Sequence, residues 1–266
     1  MNLYRKDIYQ GGWFSFNATK DQWVHHYAEK MYNTFFNSVF ISEKYSGYTI
    51  TDELLITNNL NYSGIKDKSV IVVGGGPSSN TLSEEILSSY DYVFSCNHFY
   101  KNSLLKKQKV HLALIGDEVS LNDPEFVSFI KEHNTIIGFE HSTKRSASQL
   151  LRFKTFHSST FIYLTRYFSR LGYVARACTL AKLMGANKIH FIGLDGFKTD
   201  SHCFEETKKA PPFNNTEMFC EQMRVFYRYM LKDLGLAPDK FENLSDDHKE
   251  SIYTGILKEV KNEIHK

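Results

Sequence analysis

From residue 67 onward, short β-branched runs alternate with stretches of helical period. Ser69–Val73, Tyr92–Ser95, Val110–Ile115, Thr135–Phe139, Thr160–Leu164 and Ile189–Leu194 read as strands. Their apolar residues run on continuously, as in strands covered on both faces. Helical patterns occupy 81–89 and 124–133, and the clearest spans 171–184. There Leu171, Val174, Ala175, Cys178, Ala181 and Met184 form one stripe. Gly185 fits the left-handed position that follows a helix end. Further helices are predicted at 217–233 and 246–264. This alternation predicts an α/β fold, a doubly wound, mostly parallel sheet of Rossmann-like type.

Residues 1–66 lack that rhythm and are rich in aromatics and Asn. One helix is predicted over 20–40, where Trp23, Tyr27, Met31 and Phe35 recur at i+4. A segment of this length makes a small core. It is read as an N-terminal extension packed on a main domain of residues 67–266.

Composition narrows the function classes. The chain has 266 residues and a net charge of +2, so it has no strong cationic field for nucleic acid. The 15% aromatic fraction exceeds what a core of this size needs, which leaves rings for the walls of a ligand site. Cys96, Cys178, Cys203 and Cys220 form no CxxC pair and no zinc spacing. Met1–Gln10 has no apolar h-region, and no apolar run approaches the ~18 residues of a span. The expectation is a cytoplasmic protein. Residues 144–170 interleave Lys and Arg with aromatics, which suits a half-buried ligand rim. The alternative there is peripheral contact with the inner face of a membrane. Homo-oligomerisation stays open.

Three segments carry candidate chemistry. The first strand runs into Gly74, Gly75, Gly76, Pro77, Ser78 and Ser79. Glycines let a backbone approach a ligand closely, and a following helix start suits phosphate. The dinucleotide GxGxxG pattern fails at Ser79, and no Gly-Lys-Ser follows. A tight turn with no ligand is the alternative. A side chain at Gly76 is expected to obstruct the ligand. The second strand ends in Cys96, Asn97, His98, Phe99 and Tyr100, beside the glycine turn if the sheet is open. Asn97 offers an amide there, and His98 reads as a solvated loop histidine. The last strong strand ends in Gly193, Leu194 and Asp195, followed by Asp200 and His202. Such groups suit acid/base work or a divalent metal. A turn role for Asp195 and a solvated His202 are the bland alternatives.

Together these segments resemble the bacterial sialyltransferases of glycosyltransferase family 42. The matching residues are Gly74, Gly76, Pro77 and Ser78, then Cys96, Asn97, Phe99 and Tyr100. The helix-strand unit Leu171–Asp195 is also similar, as is Phe241–Ser245 to the family's late Tyr-Asn-Leu-Ser segment. The same segments resemble the MptE-like group, which includes archaeal hydroxymethylpterin diphosphokinases and the central domain of flagellin-modifying Maf glycosyltransferases. Gly172-Tyr173-Val174-Ala175 and Asp195 through His202 look like a diverged form of that group's motifs.

The first resemblance implies a sialyltransferase-type GT-A-variant fold with a lid. The implied activity is inverting transfer of an acidic sugar (sialic acid, a related nonulosonate or Kdo) from a CMP-activated donor. The acceptor is a glycan or glycoconjugate, and neither cofactor nor metal is needed. Gly74, Gly75, Gly76, Pro77 and Ser78 would meet the donor phosphate. Asn97, Asn243 and Ser245 would complete the donor site. The implied lid spans about 196–215. The family's lid histidine falls near Pro212, and the histidine this lid holds is His202. The base is then His202 or a carboxylate, Glu205 or Glu206, with His157 behind them and Asp195 at the strand end. The second resemblance implies an ATP- and Mg²⁺-dependent diphosphokinase with Asp195 and Asp200 on the metal. A non-catalytic nucleotide- or glycan-binding relative is the third reading.

Overall fold

The computed structural model describes residues 64–140, 147–157, 159–163, 171–196, 203 and 216–265. The N-terminal extension up to residue 63, including its expected helix, lies outside the described residues. So does the lid, apart from Gly196 and Cys203.

Among the described residues, seven parallel strands form one sheet: β1 (Ser69–Val73), β2 (Tyr92–Cys96), β3 (Leu112–Ile115), β4 (Ile136–Glu140), β5 (Thr160–Tyr163), β6 (Lys188–Ile192) and β7 (Phe241–Asn243). Their spatial order is β5-β4-β3-β2-β1-β6-β7. The first five strands step outward in one direction, and the chain then returns to the far side of β1. That reversal makes β1 and β6 neighbours and opens a crevice at their carboxyl ends.

Both faces of the sheet are buried, which is why the strands read as unbroken apolar runs. Val70, Val72, Phe94, Leu112 and Phe191 pack on one side, against α4 (Tyr173–Leu183), α5 (Thr216–Arg228) and α6 (Ile256–Ile264). Ile71, Val73, Ala113, Ile137 and Phe139 pack on the other. Their partners there include α1 (Glu84–Ser88), α2 (Pro124–His133) and α3 (Ala147–Phe156). Every position from Val174 to Ala181 is buried, so the expected stripe widens to all sides of the middle of α4. Gly185 adopts φ +97°, as its place after the helix end requires.

Two helices and one strand depart from expectation. The pattern at 81–89 splits, because Ser83 accepts the amide of Ile86 and starts α1 there, after a 3-10 turn at Pro77–Thr81. The pattern at 246–264 shortens to α6, because Gly255 at φ +82° breaks it and turns fill the residues before. Strand β7 was not foreseen. Its three residues include an exposed Glu242, too short a run to show a period.

Candidate active site

The glycine turn is held from the next strand. Asp195, just beyond β6, is 2% exposed. Its Oδ2 accepts the Ser78 amide at 2.9 Å and its Oδ1 accepts the Ser78 hydroxyl at 2.6 Å. The carboxylate therefore caps the 3-10 turn Pro77–Thr81 from across the sheet, where Gly76 at the N-cap has no side chain to offer. With the Ser78 proton given to Asp195, the Ser245 hydroxyl donates to Ser78 Oγ at 2.8 Å. The Gly193 amide donates to both hydroxyls, at 3.0 and 3.2 Å. Ser78, Ser245 and Asp195 thus tie the ends of β1, β6 and β7 into one buried knot.

The glycines serve this close approach. None of Gly74, Gly75 and Gly76 has positive φ. A Cβ on Gly74 would stand 2.5 Å from Val174 Cγ2 and 2.6 Å from the Gly193 carbonyl oxygen. A Cβ on Gly76 would meet the Asp195 carboxylate and lie 2.7 Å from the same carbonyl. The obstruction expected at Gly76 is thus with the protein's own backbone and carboxylate. Gly193, at φ +79°, packs reciprocally against Gly74.

Asn97 forms the neighbouring corner. It sits at φ +51°, its amide donates to the Leu114 carbonyl, and its Oδ1 accepts the Gly116 amide at 2.8 Å. The side chain locks the ends of β2 and β3 together and is half-buried. The first turn of α4 closes the crevice from above. Val174 touches Gly74, and Tyr173 lies 2.9 Å from where a Cβ on Gly116 would be. Arg176 in that turn is 8% exposed, its guanidinium 5.1 Å from the Tyr173 ring. This buried cation at the positive end of a helix escaped the sequence reading, because it lies off the apolar stripe and reads as part of the solvated face.

The remaining expected residues fall into three groups. Asn243 and Ser245 are buried and turned inward. Asn243 accepts the Ser245 amide at 3.0 Å and donates to the Tyr227 hydroxyl at 3.3 Å. His157 is a correction, since it is buried at the amino edge and its Nε2 bonds the Thr135 carbonyl at 2.7 Å. Asp200, His202, Glu205 and Glu206 lie outside the described residues. Cys203, within the expected lid, donates its amide to the Gly75 carbonyl at 3.0 Å. Burial pushes the Cys203 and Cys96 thiols up to about 12, so both are protonated near neutral pH.

Among the described residues, no cluster of three or more His, Cys, Asp or Glu is arranged to hold a metal ion. Both Asp195 oxygens are already engaged by Ser78. Among those residues, too, no helix is long and apolar enough to cross a membrane. A cleft of about 400 Å³ lies at the opposite, amino edge, lined by Tyr92, Lys109 and His111 among others, and none of the crevice residues borders it.

No protein-family model matches the chain, and no curated protein does. Among solved structures the chain is similar to the sialyltransferase CstII from Campylobacter jejuni, crystallised with the substrate analogue CMP-3FNeuAc. The identity is 12% over 66% of this chain and 81% of that one, with a TM-score of 0.42. It is also similar to a mammalian sialyltransferase, at 12% identity over 91% of both chains and a TM-score of 0.43.

Proposed function

We propose that this chain is an inverting glycosyltransferase that moves an acidic sugar from a CMP-activated donor to a glycan acceptor. One observation carries the reading. The segments that bear the family resemblance are distant in sequence, yet they meet at one crevice. Contacts link Gly74 to Val174 and Gly193 and Ser78 to Asp195 and Ser245, while the Asn97 corner joins through Gly116, which packs beside Tyr173 of α4. That crevice is the topological switch point, where open α/β sheets bind ligands.

In this reading the donor phosphate lies between the partly exposed Gly75–Pro77 backbone and the first turn of α4. The helix dipole and the Arg176 guanidinium supply positive potential for the leaving CMP. The Ser78 amide is not that site, because the Asp195 carboxylate occupies it and would repel a phosphate. Asn97, with Oδ1 committed to Gly116, keeps its amide hydrogens for the donor. Asp195 acts as a positioning residue.

The test is thermal stabilisation across CMP, CDP, UDP, GDP and ATP, each with and without EDTA. A ligand at 100 times its dissociation constant adds roughly 2.7 kcal/mol. CMP should raise the midpoint with or without EDTA. Stabilisation by ATP with Mg²⁺ alone would overturn the reading.

A further inference from the structure

Transfer needs a group at the carboxyl edge of the sheet that takes the acceptor hydroxyl proton. Asp195 is buried and doubly bonded to Ser78, which removes it. His111, His157 and His190 sit towards the amino edge, with ring nitrogens bonded to the Val93 amide, the Thr135 carbonyl and the Tyr90 hydroxyl. His133 ends α2, at that same edge. Two described imidazoles follow strands at the carboxyl edge, His98 after β2 and His248 after β7. His248 Nδ1 accepts the Glu250 amide at 3.2 Å, so that ring nitrogen is already committed as an acceptor. Among the described residues, neither ring nitrogen of His98 is hydrogen-bonded. Its neighbour is the Tyr100 ring at 6.1 Å.

His98 is also well placed. It follows Asn97 directly, on a corner fixed by the bonds of Asn97 to Leu114 and Gly116. Its own carbonyl accepts the Lys101 amide at 2.9 Å. The ring is half-buried, so it is held yet reachable. We propose that His98 is the proton acceptor of the transfer, an inference that rests on the transferase reading above. As the acceptor oxygen bonds to the anomeric carbon, the bond from that carbon to the CMP phosphate oxygen breaks. The electron pair leaves with CMP, and the hydroxyl proton passes to the open ring nitrogen of His98.

The protonation state agrees. Burial and then Lys101 hold the His98 imidazole below its ordinary range, while Glu118 and Asp123 pull weakly the other way. The ring is therefore neutral at pH 7 and able to accept a proton.

The experiment uses the full chain and CMP-N-acetylneuraminic acid, and follows CMP release to water and to a panel of glycosides. His98→Gln and His98→Ala should lower the rate by ~10²–10⁴-fold with unchanged stabilisation by CMP. The acidic limb of the pH profile should vanish in both, and added imidazole should restore part of the His98→Ala rate. Variants that bind CMP and retain a rate within a few-fold of wild type would overturn the proposal. So would loss of the acidic limb in His202→Ala with the limb intact in both His98 variants. A wild-type chain that neither binds CMP nor releases it would overturn the transferase reading, and the role of His98 with it.

Discussion

Replacing Asp195 tests whether it is a structural clasp or a group held ready for chemistry. In Asp195→Ala, the Ser78 amide loses its acceptor on a residue with no exposed surface. A buried unsatisfied donor costs about 1–3 kcal/mol. The Ser78 hydroxyl fares better, because it can turn and donate to Ser245 Oγ, 2.8 Å away. That leaves the Ser245 proton to find another acceptor, at roughly 1 kcal/mol. The sum is about 2–4 kcal/mol. For a domain of this size each kcal/mol moves the melting midpoint by about 2–4 °C, giving a fall of roughly 5–15 °C. Asp195→Asn keeps one oxygen for the Ser78 amide and can donate to Ser78 Oγ, so its cost should be nearer 1 kcal/mol. Urea unfolding with a common m-value supplies the free energies. If Asp195→Ala unfolds within about 1 kcal/mol of wild type, or no lower than Asp195→Asn, the clasp argument fails. A carboxylate kept only for chemistry or metal would show that result.

Two further outcomes follow from the same geometry. Gly74→Ala should destabilise more than Gly235→Ala in thermal melts, because the first Cβ meets Val174 and the Gly193 carbonyl whereas the second meets nothing within 4 Å and is strained only by its φ of +64°. His111 is pushed down to about 4 by burial and then by Lys109, so the unfolded chain binds its proton more tightly. Stability from this group is full above about pH 6.5 and lost as pH falls towards 4, and His111→Gln should flatten that part of an unfolding-versus-pH curve.

The sheet was legible because its strands are covered on both faces, so Val70–Val73 or Leu112–Ile115 could not be anything polar. The α4 stripe was legible for the same reason. The knot at Asp195 was not. Ser78, Asp195 and Ser245 are separated by 117 and 50 positions or more, and only the β1–β6 and β6–β7 adjacencies bring them together. Sequence could offer the ends of strands as a shared edge, without showing which polar groups there would be used internally. The inward turn of Asn243 and Ser245 escaped for this reason.

The glycine turn shows how this internal bonding changes a functional argument. Three glycines before a helix start are compatible with phosphate on that start, and on sequence alone the Ser78 amide is the natural anchor. The structure fills that anchor with a carboxylate from β6. Two like unit charges 4 Å apart repel by about 4 kcal/mol at an effective dielectric of 20, so a phosphate cannot share the amide with Asp195 at reasonable cost. The same clasp draws Gly193 against Gly74, and Val174 packs on Gly74 from the other side. The glycines therefore bring the first turn of α4, with Arg176 in it, down onto the crevice. Under the proposed function the donor phosphate meets that turn, and the glycines serve it through the packing they permit.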